Sequence, residues 1–336
     1  MLSNSVLGAD FTTPQIATPA DDGNYAPDDG TIIFSSNAED GAAIENQDGT
    51  TIGELNNRLA ITVDSNSNGN IKGILNNGTI STGITNLAAI NVTTTGTVDG
   101  DGDRSGNAYG IQNRNSLGFL QNFSNITVTS SGKGTARGID NSNGGSFSTI
   151  TLFSAGSITV VGAESSGGSL YGTYNATGIY NHSDLTNQTI GTITNGSSIT
   201  ATRTGIQNNA EAADATITTL TNSGTIKTTG ITSVTQSGSD FSAAIHNTGT
   251  SNGDALITTL TNSSTGVIQA TANGGYGVLN STNSTISTFT NEGSIIGGTT
   301  SGYGIRTGGV LTTLTNKGTI DGKTHDIQNI SALSPT

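Results

Sequence analysis

A two-part signature recurs along this chain from Leu55 to Asn329, and it constrains the fold more than any other feature of the sequence. The first part is an aliphatic or aromatic residue, then Asn two positions later and Ile six positions later, as in residues 220–226. The second part is a small residue, an aliphatic residue, any residue and Asn, as in residues 205–208 (Gly-Ile-Gln-Asn). Internal repeats of roughly 20–50 residues indicate stacked units that cannot bury their apolar faces alone. The chain is therefore predicted to be a solenoid.

Both parts of the signature can be followed from coil to coil. The first part has its apolar residue at Leu55, Ile84, Leu120, Leu152, Ile193, Leu220, Leu260, Phe289 and Leu314. Asn follows each of these by two positions except after Leu152, where Ser154 stands, and one coil delays its Ile to Ile268. The second part centres on Ile44, Ile74, Ile111, Ile139, Ile179, Ile206, Ile245, Val278, Ile305 and Ile327.

These apolar positions supply three short anchors per coil. We therefore predict an all-β parallel β-helix with three strands per coil and about nine to ten coils. The shortest coil, from Phe289 to Leu314, is longer than the compact left-handed hexapeptide type, which favours a right-handed helix. At ~4.8 Å between coils, ten coils make a rod of about 45–50 Å. The longest loops, around residues 100–107, 163–175 and 230–241, are expected to leave one common corner.

The signature Asn and Gly residues are expected at the corners between strands. Both residue types tolerate the left-handed backbone conformation that a sharp corner can require. Stacked Asn side chains can also form hydrogen bonds from coil to coil, as in the ladders of stacked sheets. Aligned amide ladders along the axis are thus a second prediction.

Proline marks the predicted domain boundaries. Three of the four prolines lie in residues 1–30, the fourth is Pro335, and none lies between. Because Pro removes a ladder donor, its absence suits continuous sheets. We expect an acidic arm or cap at residues 1–30, the solenoid at 31–330 and a tail at 331–336.

Composition limits the partners and the location. The net charge is −13 with only 11 basic residues, whereas phosphate binding needs clustered cations, so nucleic acid is not an expected partner. The chain has no Cys and no apolar run long enough for a membrane-spanning helix. The first residues lack the features of a signal peptide, so a secreted protein would be present here in its mature form.

The repeats resemble those in passenger domains of bacterial autotransporters and related type V secreted adhesins. Residues 218–226 (Thr-Thr-Leu-Thr-Asn-Ser-Gly-Thr-Ile) carry the resemblance, which covers roughly residues 40–330. It implies a rod outside the bacterial cell that acts in adhesion or self-association. No C-terminal barrel sequence follows within the 336 residues, so the resemblance leaves open an excised passenger or a solenoid exported by another route.

Catalytic and metal-binding constellations are sparse, and we expect no enzyme and no cofactor. Polysaccharide-acting β-helix enzymes cluster carboxylates or a metal with a base, whereas His182, His246 and His325 come from different coils. The alternating carboxylates Asp99, Asp101 and Asp103 are candidate Ca²⁺ ligands. The alternative is a solvated acidic loop.

Threonine flanks the inward apolar residue in five consecutive coils. With period-two alternation, both threonines should face outward and form two ranks. The pairs are Thr192 and Thr194, Thr219 and Thr221, Thr259 and Thr261, Thr288 and Thr290, and Thr313 and Thr315. Such ranks resemble the ice-binding faces of β-solenoid antifreeze proteins, although Thr also simply suits an exposed strand. The ranks are expected to fail at Gly83, Phe119 and Phe153.

A second candidate surface is a strip of small residues preceding the aliphatic of the second signature part. It contains Ala43, Gly73, Gly110, Gly138, Gly178, Gly205, Ala244, Gly277 and Gly304. By alternation this strip would face outward and allow close approach of another molecule, unless it only serves the geometry of the corner.

The sequence thus predicts a secreted or cell-surface β-solenoid for adhesion, self-association or extracellular assembly. Its expected partners are further copies of itself, as in a homo-oligomer, or other cell-surface proteins or glycans. The alternatives are an ice-binding solenoid and, after it, a polysaccharide-acting enzyme.

Overall fold

A computed structural model of the protein describes residues 15–17, 24–25, 31–35, 40–66, 69–95, 106–131, 134–162, 176–230 and 242–330. In these ranges the regular secondary structure consists of strands, numbered β1 to β31 along the chain, and contains no helix. The strands enter three sheets in strict rotation, so each coil contributes one strand to every sheet. None of the described segments forms a helix of the length and hydrophobicity that crossing a bilayer requires.

The three sheets are parallel throughout. Sheet 1 contains β1 (Gln15–Ala17), β4 (Asp40–Asn46), β7 (Asn70–Asn76), β10 (Ala108–Asn113), β13 (Ala136–Asn141), β16 (Ala176–Ser183), β19 (Thr204–Ala210), β22 (Ala243–Thr248), β25 (Tyr276–Asn280), β28 (Tyr303–Thr307) and β31 (His325–Asn329). Sheet 2 contains β2 (Asn24–Tyr25), β5 (Thr51–Asn57), β8 (Thr79–Asn86), β11 (Ser116–Asn122), β14 (Ser146–Leu152), β17 (Gln188–Asn195), β20 (Ala215–Asn222), β23 (Ala255–Asn262), β26 (Ser284–Asn291) and β29 (Val310–Asn316). Sheet 3 contains β3 (Thr31–Ser35), β6 (Ala60–Ser65), β9 (Ile90–Thr94), β12 (Asn125–Ser130), β15 (Ser157–Gly162), β18 (Ser198–Ala201), β21 (Thr225–Thr228), β24 (Val267–Ala270), β27 (Ser294–Ile296) and β30 (Thr319–Asp321).

This topology confirms the predicted parallel β-helix with three strands per coil. The 11 strands of sheet 1 and the 10 strands of sheets 2 and 3 make ten coils and one additional strand. Residues 15–17 and 24–25 of the predicted arm or cap add short strands to sheets 1 and 2. The domain boundaries at residues 30 and 330 stay predictions.

One continuous core fills the tube from the second coil to the last. In a typical coil, Ile206 of sheet 1, Leu220 of sheet 2 and Ile226 of sheet 3 all point inward and are fully buried. Each repeats at the same place in the next coil, because Ile206 pairs with Ile245 and Leu220 with Leu260. Burial of one such side chain contributes about 1.5–3 kcal/mol, so stacking, and not any one coil, stabilises the fold.

The predicted amide ladders are present at two corners. In sheet 1 the ladder runs from Asn46 to Asn280, each Nδ2 donating to the next Oδ1 at 2.7–3.1 Å, and it ends on the Thr307 hydroxyl. In sheet 2 it runs from Asn57 to Asn122 and, after an interruption at Leu152, from Asn195 to Asn316. Nearly all these amides are fully buried, where an unpaired amide would be costly. The ladders therefore fix the register of the coils.

The sequence-based register is wrong in one coil. Ile150, and not Leu152, pairs with Leu120 and Ile193 in the inward column, and Leu152 occupies the ladder position beside Asn122 and Asn195. The error arises because both residues are aliphatic and two positions apart. The turn that follows has two additional residues, as does the turn before Ile268.

The amide ladders do not require left-handed backbone. Among the described residues, positive φ occurs at Asn143, Asn283 and four glycines: Gly49, Gly144, Gly230 and Gly274. None of these is a ladder residue, so the expectation of left-handed signature Asn residues is wrong. The corner Asn is needed for its side-chain hydrogen bonds instead.

The longest connections do leave one corner, as predicted. They join β9 to β10, β15 to β16 and β21 to β22, in each case from sheet 3 to sheet 1. Most of their residues, including Asp99, Asp101 and Asp103, lie outside the described residues, so the proposed Ca²⁺ ligation stays a prediction.

Candidate functional site

The first candidate surface is a double rank of threonines on sheet 2, which we call the threonine face. It comprises Thr149, Thr151, Thr192, Thr194, Thr219, Thr221, Thr259, Thr261, Thr288, Thr290, Thr313 and Thr315. In every strand the two threonines flank a core residue, so both hydroxyl-bearing side chains point outward. The face therefore spans six neighbouring strands.

The corrected register makes the threonine face longer than the sequence predicted. Thr149 and Thr151 flank Ile150 and pair with Thr192 and Thr194, so the expected failure at Phe153 is wrong. Phe153 lies in the turn after β14, where its ring stacks on Phe123 with centroids 4.0 Å apart.

The ranks do end at Gly83 and Phe119, as predicted. Phe119 pairs with Thr149 on one side and with Gly83 on the other. A Cβ added to Gly83 would lie 2.6 Å from the Phe119 ring, so the aromatic side chain packs over the glycine. A bulky, apolar patch therefore borders the threonine face at its N-terminal edge.

The threonine face carries no charge. None of the six strands from β14 to β29 in sheet 2 contains Asp, Glu, Lys or Arg. A further outward column beside the ranks adds the hydroxyls of Ser148, Thr218, Thr258, Ser287 and Thr312. Neighbouring strands lie ~4.8 Å apart, and alternate residues along one strand lie ~6.6 Å apart. Hydroxyl and methyl groups therefore repeat regularly in two dimensions on this surface.

The glycine strip is not a surface groove, which corrects the sequence prediction. A Cβ built on Gly205 would lie 2.4 Å from Ile226 Cγ2, and Ile226 is a fully buried core residue of sheet 3. The candidates Gly110, Gly138, Gly178, Gly277 and Gly304 meet the equivalent Ile of their own coils in the same way. Ala43 and Ala244, in the same column, are completely buried. The strand bends here, so two consecutive residues point inward and simple alternation fails.

A mostly buried polar cluster on the outward-facing side of sheet 1 was missed by sequence reasoning. At its centre the Arg137 guanidinium lies 3.9 Å from the centroid of the Tyr180 ring and 5.8 Å from that of Tyr109. Its Nη1 lies 2.5 Å from Oδ1 of Asp140, whose Oδ2 accepts a hydrogen bond from Gln112 at 2.8 Å. Contacts of this kind combine an ion pair with cation–π attraction.

Burial and charge shift the pKa values in this cluster. Burial alone would lower the pKa of Arg137, but the Asp140 carboxylate, helped by Tyr180 and Tyr109, raises it above its ordinary value. Burial raises the pKa of Tyr180 to about 12, although the Arg137 charge opposes this shift. At neutral pH the cluster therefore contains one cation paired with Asp140 and neutral phenols.

The three histidines also lie on sheet 1 but remain separate. His182 Nε2 is 2.8 Å from a Glu211 oxygen and stacks on Tyr180, and His246 Nε2 is 3.0 Å from the Ser281 hydroxyl. Burial, with a smaller effect of Arg203, lowers the pKa of His246 to about 3. Within the described residues no group of three His, Cys, Asp or Glu side chains could hold a metal ion.

An aromatic column continues sheet 1 toward its C-terminal end. Tyr276 stacks on Tyr303 with ring centroids 5.4 Å apart, and Tyr303 packs against His325 at 5.8 Å. Arg306 donates a hydrogen bond to the Tyr276 hydroxyl at 3.0 Å. These residues occupy variable positions of the signature, so the motif itself does not predict that they are close. Only the regular register of neighbouring strands could have indicated it.

Comparisons of the chain with protein-family models, with curated proteins and with solved structures found no match.

Proposed function

We propose that this protein is a non-catalytic, secreted or cell-surface β-solenoid that acts in adhesion, self-association or extracellular assembly through its threonine face. The observation that carries the proposal is the uncharged double rank across six neighbouring strands of sheet 2. A long regular surface of this kind suits an extended partner better than a small ligand, which needs a concave site.

The charge distribution supports this choice of surface. With a net charge of −13, two copies repel each other over most of their surfaces. The threonine face has no charged residues, so a contact there brings no like charges together. Another copy, or an anionic cell-surface glycan or protein, can therefore approach this face closely. The resemblance of residues 218–226 to autotransporter passenger repeats fits an extracellular role.

The proposal is tested with lysines on the threonine face. The variant Thr219→Lys plus Thr288→Lys places two charges on alternate strands of sheet 2. Its control, Thr127→Lys plus Thr200→Lys, places the same charges on alternate strands of sheet 3, at positions that also face outward. Sedimentation velocity measures self-association, and binding to bacterial cells and to a glycan array measures adhesion.

We expect the threonine-face variant to weaken association or binding by about tenfold or more, since each lysine must be desolvated at the contact, while the control keeps the wild-type values. Equal effects of the two variants would exclude the threonine face as the contact. Release of reducing or unsaturated sugars from the glycans would contradict a non-catalytic role.

Ice binding is the second candidate function, favoured by the regularity of the same ranks. Thr149 and Thr151 extend the array by a further strand beyond the sequence prediction. Ice binding predicts thermal hysteresis and faceted ice crystals, both lost in Thr219→Lys plus Thr288→Lys and kept in the sheet 3 control. Thermal hysteresis without self-association or cell binding would favour this function over adhesion.

A further inference from the structure

The sheet 2 strand β8 contains a β-bulge, which interrupts the regular stacking of the coils. Among the described strands, register shifts occur only where β8 pairs with β5 and with β11. At this place Ser81 and Thr82 together oppose one residue on each neighbouring strand, Gly53 of β5 and Gly118 of β11. A bulge redirects the side chains next to it and is common beside functional sites. Sheet 2 therefore departs here from a purely repetitive surface.

Phe119 lies directly beside the bulge. It precedes the inward residue Leu120, so its side chain points outward. The ring atoms Cγ and Cδ2 would both lie 2.6 Å from a Cβ on Gly83, so the ring rests on bare glycine backbone. Phe119 is nevertheless only partly buried. The sheet thus supports one part of the ring and leaves another part open to solvent.

Hydrogen-bonding side chains surround this ring at neighbouring outward positions. Gln121 lies two positions along β11, ~6.6 Å away, and its amide forms no hydrogen bond with the described residues. On the other side of β8, Glu54 accepts a hydrogen bond on Oε1 from the Thr85 hydroxyl at 3.1 Å, which leaves Oε2 open to a further donor. Thr149 pairs with Phe119 from β14 and adds a hydroxyl. An amide, a carboxylate and two hydroxyls therefore flank one aromatic side chain.

We propose that these residues, which we call the Phe119 patch, bind a neutral glycan with one sugar ring stacked on Phe119. The face of an aromatic ring carries negative charge density, which attracts the weakly positive C–H groups on the apolar side of a sugar. The hydroxyls at the edge of the sugar need donors and acceptors. The Gln121 amide supplies both, and the Glu54 carboxylate is an acceptor.

The size of the Phe119 patch favours a glycan over a second protein chain. The neighbouring strands β5, β8, β11 and β14 carry it, and along β11 it ends at the corner, where the Phe123 ring stacks on Phe153. Strand spacings of ~4.8 Å across these strands and about 13 Å from Phe119 to Phe123 enclose roughly 200 Å². Each partner in a stable protein interface buries about 800 Å². The patch is therefore suited to a few sugar rings and too small to hold a second chain by itself.

Charge restricts the proposed ligand to glycans without carboxylate or sulfate groups. Glu54 is the only charged residue in β5, β8, β11 and β14, and Arg58 follows β5 only at the corner. The net charge of −13 also repels a polyanion. This inference deepens the proposed function by naming a ligand class, and it rests on that function only for the extracellular setting.

The test compares substitutions of Phe119 in the full chain. Phe119→Ala removes the ring, and Phe119→Tyr keeps it. The control Val310→Ala removes a side chain that is 55% exposed at the far end of the same sheet, on β29. Circular dichroism verifies that all variants keep the β-sheet signal. An array of neutral hexose oligosaccharides and their uronate counterparts identifies ligands, and isothermal titration calorimetry measures the affinity of those that bind.

We expect the wild type to bind neutral oligosaccharides in preference to the uronates. Phe119→Ala should weaken this binding about tenfold or more, while Phe119→Tyr, Val310→Ala and the threonine-face variant keep it. Glu54→Gln should reduce the preference for neutral over uronate oligosaccharides, because it removes the charge beside the ring.

A wild-type chain that binds no neutral oligosaccharide, prefers the uronates, or binds equally well with Phe119→Ala would overturn the proposal. Loss of self-association in Phe119→Ala without glycan binding would also overturn it, since the patch would then contact a second copy. Loss of self-association or cell binding in the threonine-face variant alone would concern the proposed function and leave the Phe119 patch intact.

Discussion

Leu152 lies directly beside Asn195 in the parallel register of sheet 2, so an aliphatic side chain occupies one place in an otherwise amide ladder. The side chain of Leu152 is almost fully buried and belongs to the hydrophobic core. On its other side, Asn122 has turned its amide to Ser124 O at 2.7 Å. The ladder therefore tolerates an interruption where the neighbouring amides find other partners.

The first prediction compares the interrupted ladder at Leu152 with the intact ladder at Asn222. In Asn222→Leu, Asn262 Oδ1 loses the donor that lies 2.8 Å away, and Asn195 loses its acceptor. We expect a loss of about 1–3 kcal/mol in the free energy of unfolding, because buried amide groups are left unpaired. Leu152→Asn should change it by less, since lost apolar burial and gained hydrogen bonds offset each other. Urea unfolding measures both, and a larger loss for Leu152→Asn would contradict the role of the ladder.

The second prediction concerns Gly205, whose added Cβ would lie 2.4 Å from Ile226 Cγ2 and 2.5 Å from Ala244 O. We expect Gly205→Ala to reduce the free energy of unfolding by about 1–3 kcal/mol through overpacking. The reverse substitution in the same column, Ala244→Gly, should cost only about 0.5–1 kcal/mol, the usual penalty of Gly in a strand. Stabilisation by Gly205→Ala in thermal unfolding would mean that the strip faces solvent after all.

The third prediction concerns the Arg137 and Asp140 pair, in which the Asp140 side chain is fully buried. Asp140→Ala leaves a mostly buried guanidinium without its counter-charge, so the free energy of unfolding should fall by about 3–5 kcal/mol. Replacing both residues, as Arg137→Met plus Asp140→Leu, should cost less than Asp140→Ala alone. A double-mutant cycle in urea measures the coupling, and additive losses would show that the pair is not coupled.

The fourth prediction is a pH dependence from His246, whose pKa in the folded state is lowered to about 3 from 6.5. Between these values the unfolded chain binds the proton more readily, so this histidine stabilises the fold above pH 6.5 and loses that contribution as the pH falls toward 3. Most carboxylates titrate below about pH 5, so the range between about pH 6.5 and 5 isolates the histidine. In this range the free energy of unfolding should fall more steeply with decreasing pH in the wild type than in His246→Gln, and the difference in slope corresponds to at most one bound proton. Parallel curves for the two proteins would contradict the shift.

The sequence predicted the stacked core because the chemistry of the coil is local. Leu220, Asn222 and Ile226 lie within seven residues, and their spacing alone indicates a strand, a corner and the next strand. The same local pattern could not distinguish Ile150 from Leu152, since either residue satisfies an apolar position. Only the partners on the neighbouring strands, Leu120 and Ile193, decide between them.

The direction of the glycine strip could not be derived from alternation. Gly205 and Ile206 both point inward, because the strand bends where the Ile226 side chain of sheet 3 fills the space left by the missing Cβ. The cluster around Arg137 was missed for a different reason. Tyr109 and Tyr180 are far from Arg137 in sequence and come together only through the register of sheet 1.

The central claim is that successive coils stack in register, one strand per sheet and coil. Because the chain has no Cys, Ser148→Cys plus Thr312→Cys allows specific spin labelling of two exposed sites in the same outward column of sheet 2. The sites lie on β14 and β29, and β17, β20, β23 and β26 separate them. Five strand spacings of ~4.8 Å predict a single distance of about 24 Å by pulsed electron paramagnetic resonance. A broad distribution, or a distance beyond about 35 Å, would contradict the stacked register.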